Sequence, residues 1–409
     1  MRRRVVVLCT VLAVLVGAVA LLGCGEPDED TTSGSLILTV YTSGTLQGDG
    51  RQAAQDGADA VKLALDEANG MVGPFTVNVV SLDDTDPDTG RWGADQVVTN
   101  ARRAIADRNI MGYIADSGSG ATALTLPLLN EAGVLQIGPT TGYVGLTRPA
   151  GRGEPDRFYP SGVRSFGRIA PADDIQTDAL VETMREQGVR RLAILQDGEL
   201  EALGIAGLVE KRAREAGIDV VDVKPVDADD EDQSGIAQDV AESDADAALY
   251  AGTTTKGGAA VLDALHAADP ALALFAPDGL ADASLAAAIE PGTARRLLLT
   301  SPAVPLDDLP PKAARFGTAF ERAYDRKPVP EAVFSYEAMR AFMDAVKAAG
   351  VKGNDRAAII QAYFTLRERD TALGTWSVTP SGDSTIRRYG VWRVRDGHLA
   401  FVREARPST

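Results

Sequence analysis

Short apolar runs alternate with amphipathic segments along most of the chain from residue 36 onward. The run 36–40 predicts a strand, and the apolar positions after it, spaced by four and three, predict a helix that ends at Asn69-Gly70. Further strands, separated by helices, are predicted at 75–82, 110–115, 134–137, 191–195, 219–223, 247–250, 272–275 and 297–300. This alternation is typical of parallel sheets with helices on both faces.

The alternation is interrupted between residues 142 and 168, where glycines, prolines and arginines follow no clear period. Because the strand–helix order occurs on both sides of this segment, we predict an α/β fold of two doubly wound parallel-sheet lobes joined by a multi-segment hinge. The predicted boundaries are 36–168 and 304–385 for lobe 1, and 169–303 and 386–403 for lobe 2. The tail predicts a β-hairpin around Asp396-Gly397.

The N-terminus carries the features of an export signal. Three arginines at 2–4 precede an apolar run at 5–22, which ends in Leu-Leu-Gly and Cys24 and resembles the processing box of bacterial lipoproteins. We therefore predict a signal peptide at 1–23, a lipid anchor on Cys24 and a flexible polar tether at 24–35. The alternative is an uncleaved anchor, because the apolar run only just reaches membrane-spanning length. Both alternatives place the rest of the chain outside the cytoplasmic membrane.

Composition excludes several functional classes. The formal net charge is −17, and it is near −20 once the three arginines of the signal are removed, which disfavours nucleic acid as a partner. The two cysteines, Cys9 and Cys24, leave no disulfide within the mature chain. With only His266 and His398, histidine-based catalysis and zinc binding are also disfavoured, and we expect no metal and no cofactor.

Ligands of open parallel sheets bind at the carboxyl ends of the strands, so the segments that follow strands are the candidate sites. The first of these segments contains Ser117, Ser119 and Thr122 and leads into a predicted helix. Its hydroxyls and the free N–H groups of the helix N-terminus suit a carboxylate or another anion. The alternative is that Ser119 only caps the helix.

Two further segments complete the candidate site. Thr140 and Thr141 follow the strand at 134–137 and either donate to the same anion or only form a turn. In the second lobe, Asp278 follows the strand at 272–275 within Ala-Pro-Asp-Gly. It either pairs with a cationic group of the ligand or belongs to an ordinary turn.

At these segments the sequence resembles the bacterial extracellular solute-binding proteins of the branched-chain amino-acid type, which have the type I periplasmic binding fold. The matching motifs lie at 83–87, 130–141, 166–173, 276–279, 336–338, 379–383 and 390–392, and the likeness covers nearly all of 36–403. The resemblance implies that Ser119, Thr140 and Thr141 hold a ligand carboxylate. It also implies that Asp278 meets the ligand's ammonium group.

The sequence departs from this family at the ligand's side-chain pocket. Gly50, Leu203 and Thr253 stand where leucine-binding members place aromatic residues, and Gly142 replaces a threonine that contacts ligand. Leu203 and Thr253 are still expected to lie at the ligand. We expect the pocket to be rebuilt, so that the ligand is another amino acid, an amide or a related solute rather than a branched-chain amino acid.

The resemblance implies a lipoprotein of an ABC importer rather than an enzyme. It would capture a small polar, amino-acid-like ligand between its lobes and deliver it to a membrane permease. A monomer is expected, tethered to the membrane by its lipid. The alternatives are a surface sensor that signals to a membrane receptor and, more distantly, an exported hydrolase, which would need His266 or His398 as its base.

Overall fold

The computed structural model describes residues 35–48, 50–116, 118–252 and 255–405, except for the side chains of residues 255 and 256. The predicted signal peptide, the predicted tether up to residue 34, and the predicted site residues Cys24, Ser117 and Thr253 lie outside the described residues. Within the described part of the chain, no helix is both long and apolar enough to cross a membrane.

The described residues alternate between strands and helices for most of their length. The strands are β1 (Ile37–Gly44), β2 (Met71–Val72), β3 (Phe75–Asp83), β4 (Ile110–Ile114), β5 (Leu135–Gly138), β6 (Phe166–Arg168), β7 (Arg191–Gln196), β8 (Asp219–Pro225), β9 (Ala247–Ala251), β10 (Ala273–Ala276), β11 (Leu297–Ser301), β12 (Arg369–Thr371), β13 (Gly374–Trp376), β14 (Tyr389–Arg395) and β15 (His398–Ala405). The helices are α1 (Arg51–Asp66), α2 (Ala94–Ile105), α3 (Ser119–Glu131), α4 (Asp173–Glu186), α5 (Leu200–Glu215), α6 (Ser234–Glu242), α7 (Thr255–Ala268), α8 (Ala283–Ala288), α9 (Pro291–Ala294), α10 (Pro311–Tyr324), α11 (Ala332–Ala349) and α12 (Arg356–Tyr363).

The first sheet has the strand order β2-β3-β1-β4-β5-β6, and its pairings are parallel except at β2. Helices α1, α11 and α12 cover one face, while α2 and α3 cover the other. The central strands β1, β4 and β5 are buried on both faces, which is why their sequences are mostly apolar. Gly112 in β4 lets α11 pack directly on the sheet, since a Cβ there would lie 2.7 Å from Cε2 of Phe342.

The second sheet has the order β15-β14-β11-β10-β9-β7-β8. Strands β7 to β11 pair in parallel, whereas β14 and β15 form the predicted antiparallel hairpin at one edge. Helices α4 and α5 pack on one face, and α6, α7 and α8 pack on the other. Each sheet therefore has its own core with helices on both faces.

The chain passes between the two sheets three times: after β6, after β11 and before β14. The helices α10 to α12 belong to the core of the first sheet, although they follow the second sheet in sequence. The predicted α/β fold of two parallel-sheet lobes is confirmed, and the exact residue boundaries of the lobes stay a prediction.

The segment 142–168 is less irregular than its sequence indicates. It contains two 3₁₀ turns, Val144–Leu146 and Asp156–Phe158, and ends in the edge strand β6. Its buried side chains form a small separate cluster against α3, which includes Leu126, Tyr143 and Phe158. Three residues containing a glycine and an arginine carry no strand pattern, so β6 could not be recognised in the sequence.

A buried ion pair joins two of the segments that pass between the lobes. The Nε of Arg168 lies 2.9 Å from Oδ1 of Asp383, and Nε of Arg148 lies 2.9 Å from Oδ2 of the same carboxyl. Burial raises the pKa of Asp383, but the charges of Arg168 and Arg148 outweigh burial, and the resulting pKa lies below its ordinary value. Asp383 is therefore a fixed anion in the hinge.

We expect Asp383→Ala to lower the free energy of unfolding by about 3–5 kcal/mol, because it leaves the fully buried guanidinium of Arg168 without its counter-ion. Chemical denaturation measures the change. The control is Glu210→Ala, which breaks an exposed pair with Arg214 and should cost about 1 kcal/mol or less. Equal losses in the two variants would contradict a structural role for the buried pair.

Candidate ligand-binding cleft

A large cleft runs between the lobes, at the carboxyl ends of the parallel strands. It has a volume of about 1410 Å³. One wall is formed by segments that follow β1, β4 and β5, and the opposite wall by segments that follow β7, β8 and β10. This is the position at which open parallel sheets bind ligands.

The N-terminus of α3 brings Ser119 and Thr122 together beneath this cleft. Gly118, with a φ of 115°, turns the chain into the helix. Ser119 Oγ donates a hydrogen bond to Oε2 of Glu201 and accepts one from the backbone N–H of Tyr143 at 3.1 Å. Thr122 Oγ1 donates to the carbonyl oxygen of Gly118 at 3.0 Å. Both hydroxyl groups are therefore already hydrogen-bonded within the protein.

The segment after β5 places its two threonines differently. Thr140 is partly exposed and lines the cleft. Thr141 is fully buried, with its Oγ1 3.3 Å from Oγ1 of Thr122, and its carbonyl oxygen accepts a hydrogen bond from Arg168 at 3.0 Å. The structure thus brings Ser119, Thr122 and Thr141 into one cluster, in which Thr141 lies behind the cleft wall.

Asp278 lies on the opposite wall, at the start of a 3₁₀ turn after β10. Its Oδ1 accepts a hydrogen bond of 2.6 Å from Nε2 of Gln176 on α4. The cleft therefore has Ser119 on one lobe and Asp278 on the other, and their contact with a ligand stays a prediction.

The structure does not bring Leu203 to the cleft. Its side chain is 50% exposed on α5, because the buried face of that helix is formed by Ala202 and Ile205. The next residue, Gly204, lies against the ring of Tyr143 instead. Gly50 does line the cleft, and a Cβ at that position would meet open space.

Sequence reasoning missed two carboxyl groups at the seam between the lobes. Glu201 reaches from α5 to Ser119 of the first lobe. Asp173, the first residue of α4, is fully buried, and its Oδ1 lies 1.9 Å from the point that a Cβ of residue 142 would occupy. The signal that could have revealed Asp173 was Gly142, which stands where the family has a threonine and leaves space for this carboxyl group.

The walls of the cleft are strongly acidic. Among the described residues, one arginine, Arg91, lines it, and no lysine does. The lining carboxyl residues are Asp86, Asp88, Asp116, Asp197, Glu199, Glu201, Asp227, Asp229, Asp278, Asp282 and Glu331. In the part of the chain that the structure describes, no group of His, Cys, Asp or Glu is arranged to hold a metal ion.

Asp173, Glu201 and Asp278 form what we term the acid cluster. Burial is the main cause that raises the pKa of Glu201 to about 7, and the charge of Asp278 adds to it. Burial likewise raises the pKa of Asp278 to about 6, against a lowering effect of the hydrogen bond from Gln176. The pKa of Asp173 lies well above its ordinary value, through burial and the charges of Glu201 and Asp278. The free protein therefore holds mutually repelling, poorly solvated carboxyl groups.

We expect the ligand-free protein to become more stable as pH falls from about 8 to about 6, by about 1 kcal/mol for Glu201 alone. A raised folded-state pKa means that the folded state takes up protons before the unfolded state does, and this uptake relieves buried charge. Urea denaturation across this pH range measures the slope. Glu201→Gln should flatten it, whereas Glu210→Gln on the exposed face of α5 should leave it unchanged. A wild-type stability that falls over the same range would contradict this account.

The chain matches a family model and several known proteins. The model, described as periplasmic binding protein, matches residues 42–398. A Leu/Ile/Val-binding protein homolog of Brucella melitensis is 23% identical over 346 residues, which cover 84% of this chain and 86% of that protein. The leucine-binding protein LivK of Thermotoga maritima superposes with a TM-score of 0.77 at 19% identity, over 90% of this chain and 99% of that one. A solute-binding protein of R. palustris in complex with benzoate has a TM-score of 0.74 at 16% identity, over 91% and 97% of the two chains.

The structural likenesses, at these identities, show the fold. The family model spans most of the chain, so it shows the family, and the resemblance found in the sequence is confirmed. The relatives are named as binding proteins, which confirms the prediction that the chain is not an enzyme, and the family is a periplasmic one, which lies outside the cytoplasm. The chain belongs to the periplasmic binding protein family.

Proposed function

We propose that this chain is the solute-capturing lipoprotein of an ABC importer, which binds a small polar solute related to the amino acids and delivers it to a membrane permease. The observation that carries the proposal is the cleft between the lobes, with Ser119 and Asp278 on facing walls. A ligand held there contacts both lobes at once. Binding then favours the arrangement in which the lobes are closed around it.

The size of the cleft supports capture by closure. Its volume of about 1410 Å³ exceeds the roughly 300–1,000 Å³ of an ordinary small-molecule pocket. A ligand of amino-acid size leaves space that the lobes fill by moving together. Such a movement removes water from the polar contacts and strengthens them. The closed, ligand-loaded form is the one that we propose the permease recognises.

The proposal includes attachment to the membrane through a lipid on Cys24. It rests on the arginines, the apolar run and the Leu-Leu-Gly-Cys ending of the N-terminal segment. Attachment keeps the binding protein near its permease and raises the local concentration of loaded protein there. The proposed residues for ligand contact are Ser119 and Thr140 on the first lobe and Asp278 on the second.

The ligand-binding claim is tested by a thermal-shift screen of amino acids, amides, amines and small carboxylic acids. At about 1 mM, at least one compound should raise the melting temperature by about 2 °C or more, because it binds only the folded state. The double variant Ser119→Ala, Asp278→Ala should lose most of that shift. The control Leu203→Ala, on the exposed face of α5, should keep it. A shift that persists in the double variant would show that the site lies elsewhere.

The anchor claim is tested by expressing the full chain in a bacterial host fed with radiolabelled palmitate. The wild-type protein should carry the label and sediment with membranes. Cys24→Ala should lose the label, because the acylated thiol is missing. An unlabelled wild-type protein that still sediments with membranes would instead support an uncleaved N-terminal anchor.

A further inference from the structure

We propose that the ligand of this cleft is an organic cation without a carboxylate, of the amine or guanidine class, and that the acid cluster binds it. This inference rests on the proposed function, because it names the ligand of the same cleft. The geometry points to it in three ways: the two hydroxyl groups of α3 that suit an anion are already hydrogen-bonded, buried acceptors have no donor, and an aromatic ring and a carboxyl group lie close together at the cleft wall.

The carboxyl group of Glu201 lies at the N-terminus of α3, where a ligand anion would otherwise bind. The helix N-terminus of α3 and its hydroxyl groups would attract an anion. Ser119 Oγ, however, donates to Glu201, and Thr122 Oγ1 donates to the carbonyl oxygen of Gly118. A second carboxylate brought here by a ligand would meet the charge of Glu201 and find these hydroxyl protons already engaged.

Arg168 is a buried cation whose charge lowers the pKa of Asp173 and of Glu201, but its hydrogen-bond donors are engaged elsewhere. Arg168 donates to the carbonyl oxygens of Thr141 and Tyr143 at 3.0 and 2.9 Å, and to Oγ1 of Thr147 at 2.8 Å. Its charge is paired with Asp383. The acid cluster is thus left with a deficit of positive charge that a ligand can supply.

Buried acceptors without donors lie in the cluster and beside it. No described residue donates a hydrogen bond to either carboxyl oxygen of Asp173, which is fully buried. The Oε1 of Gln176, whose Nε2 donates to Asp278, is also buried without a donor. Buried acceptors without donors cost free energy. An ammonium or guanidinium group brings several N–H donors together with the missing positive charge.

Asp173 points towards the seam between the lobes. Its backbone N–H donates to the carbonyl oxygen of Gly142 at 2.9 Å, and its side chain fills the space beside Gly142. The charges that most raise its pKa are those of Glu201 and Asp278, which line the cleft. A cation that enters between Glu201 and Asp278 therefore gains attraction from all three carboxyl groups.

An aromatic ring of the first lobe and a further carboxyl group of the second lobe lie close to one point of the cleft wall. Measured from the point where a Cβ of Gly120 would stand, Cζ2 of Trp92 lies at 3.0 Å and Oε2 of Glu199 at 3.3 Å. An indole ring near a carboxylate suits an organic cation, because the ring attracts the charge and packs against the carbon chain that bears it. An inorganic cation would use only the carboxylate.

Matched pairs of amines and amino acids test the inference, since the two members of each pair differ only by a carboxylate. Isothermal titration of the purified full chain would compare 3-methylbutylamine with leucine, cadaverine with lysine, and agmatine with arginine. We expect at least one amine to bind at least about tenfold more tightly than its parent amino acid. The inference is overturned if every parent binds as tightly as its amine, or if no amine binds.

The outcome also separates this inference from the proposed function. If leucine or benzoate binds and none of the amines does, the proposed solute-binding function is supported and the inference of a cationic ligand is overturned. Failure of every compound in the broader screen to bind would count against both.

Variants of the acid cluster test whether the preference for amines arises there. Glu201→Gln and Asp173→Asn should each reduce the preference for the amine over its parent by about tenfold or more, because each removes one negative charge. Glu210→Gln, on the same helix as Glu201 but paired with Arg214 at the surface, should leave the preference unchanged. Circular dichroism checks that each variant is folded. If a variant does not fold, the inference is tested by the affinities of the wild-type protein for the amines and their parent amino acids. An unchanged preference in both cluster variants would overturn the assignment of the cluster as the site.

Discussion

The guanidinium of Arg168 is the group on which the arrangement of the cleft depends. It is fully buried at the end of β6 and binds the backbone at Thr141 and Tyr143, so it fixes the segment that follows β5. Its counter-ion, Asp383, belongs to a different passage of the chain near the hinge. A buried charge of this kind needs every one of its partners, and removing one of them disturbs the others. The wall of the cleft and the hinge are therefore held by the same ion pair.

The pairing of Arg168 with Asp383 affects the charge balance at the acid cluster. Because Arg168 is neutralised by Asp383, the acid cluster of Asp173, Glu201 and Asp278 has no cation of its own among the described residues. The protein thus holds a satisfied ion pair beside an unsatisfied group of carboxyls. The pair of Arg168 and Asp383 and the acid cluster therefore have different roles. The ion pair holds the lobes in place, whereas the acid cluster gains favourable free energy only when a cationic ligand binds.

Much of the fold could be predicted because its strands are buried on both faces. The run at 110–115 is continuously apolar, and β4 occupies Ile110–Ile114. The candidate segments after the strands could also be predicted, since topology alone brings them to one edge. The contact between Ser119 and Glu201 could not be predicted in this way. It joins residues 82 positions apart on different lobes, and no local pattern records how two lobes face each other.

One exposed contact at the mouth of the cleft has a consequence of a different kind. Arg91 follows β3 in the first lobe, and its Nη2 lies 2.9 Å from Oδ2 of Asp229, which follows β8 in the second. Both side chains are substantially exposed, so dissolved ions reach and screen them over a Debye length of about 8 Å. This contact between the lobes therefore weakens as the ionic strength of the medium rises. A protein working outside the cytoplasm meets that medium directly, and the salinity around the cell becomes one of the variables that set how strongly this pair joins the two lobes.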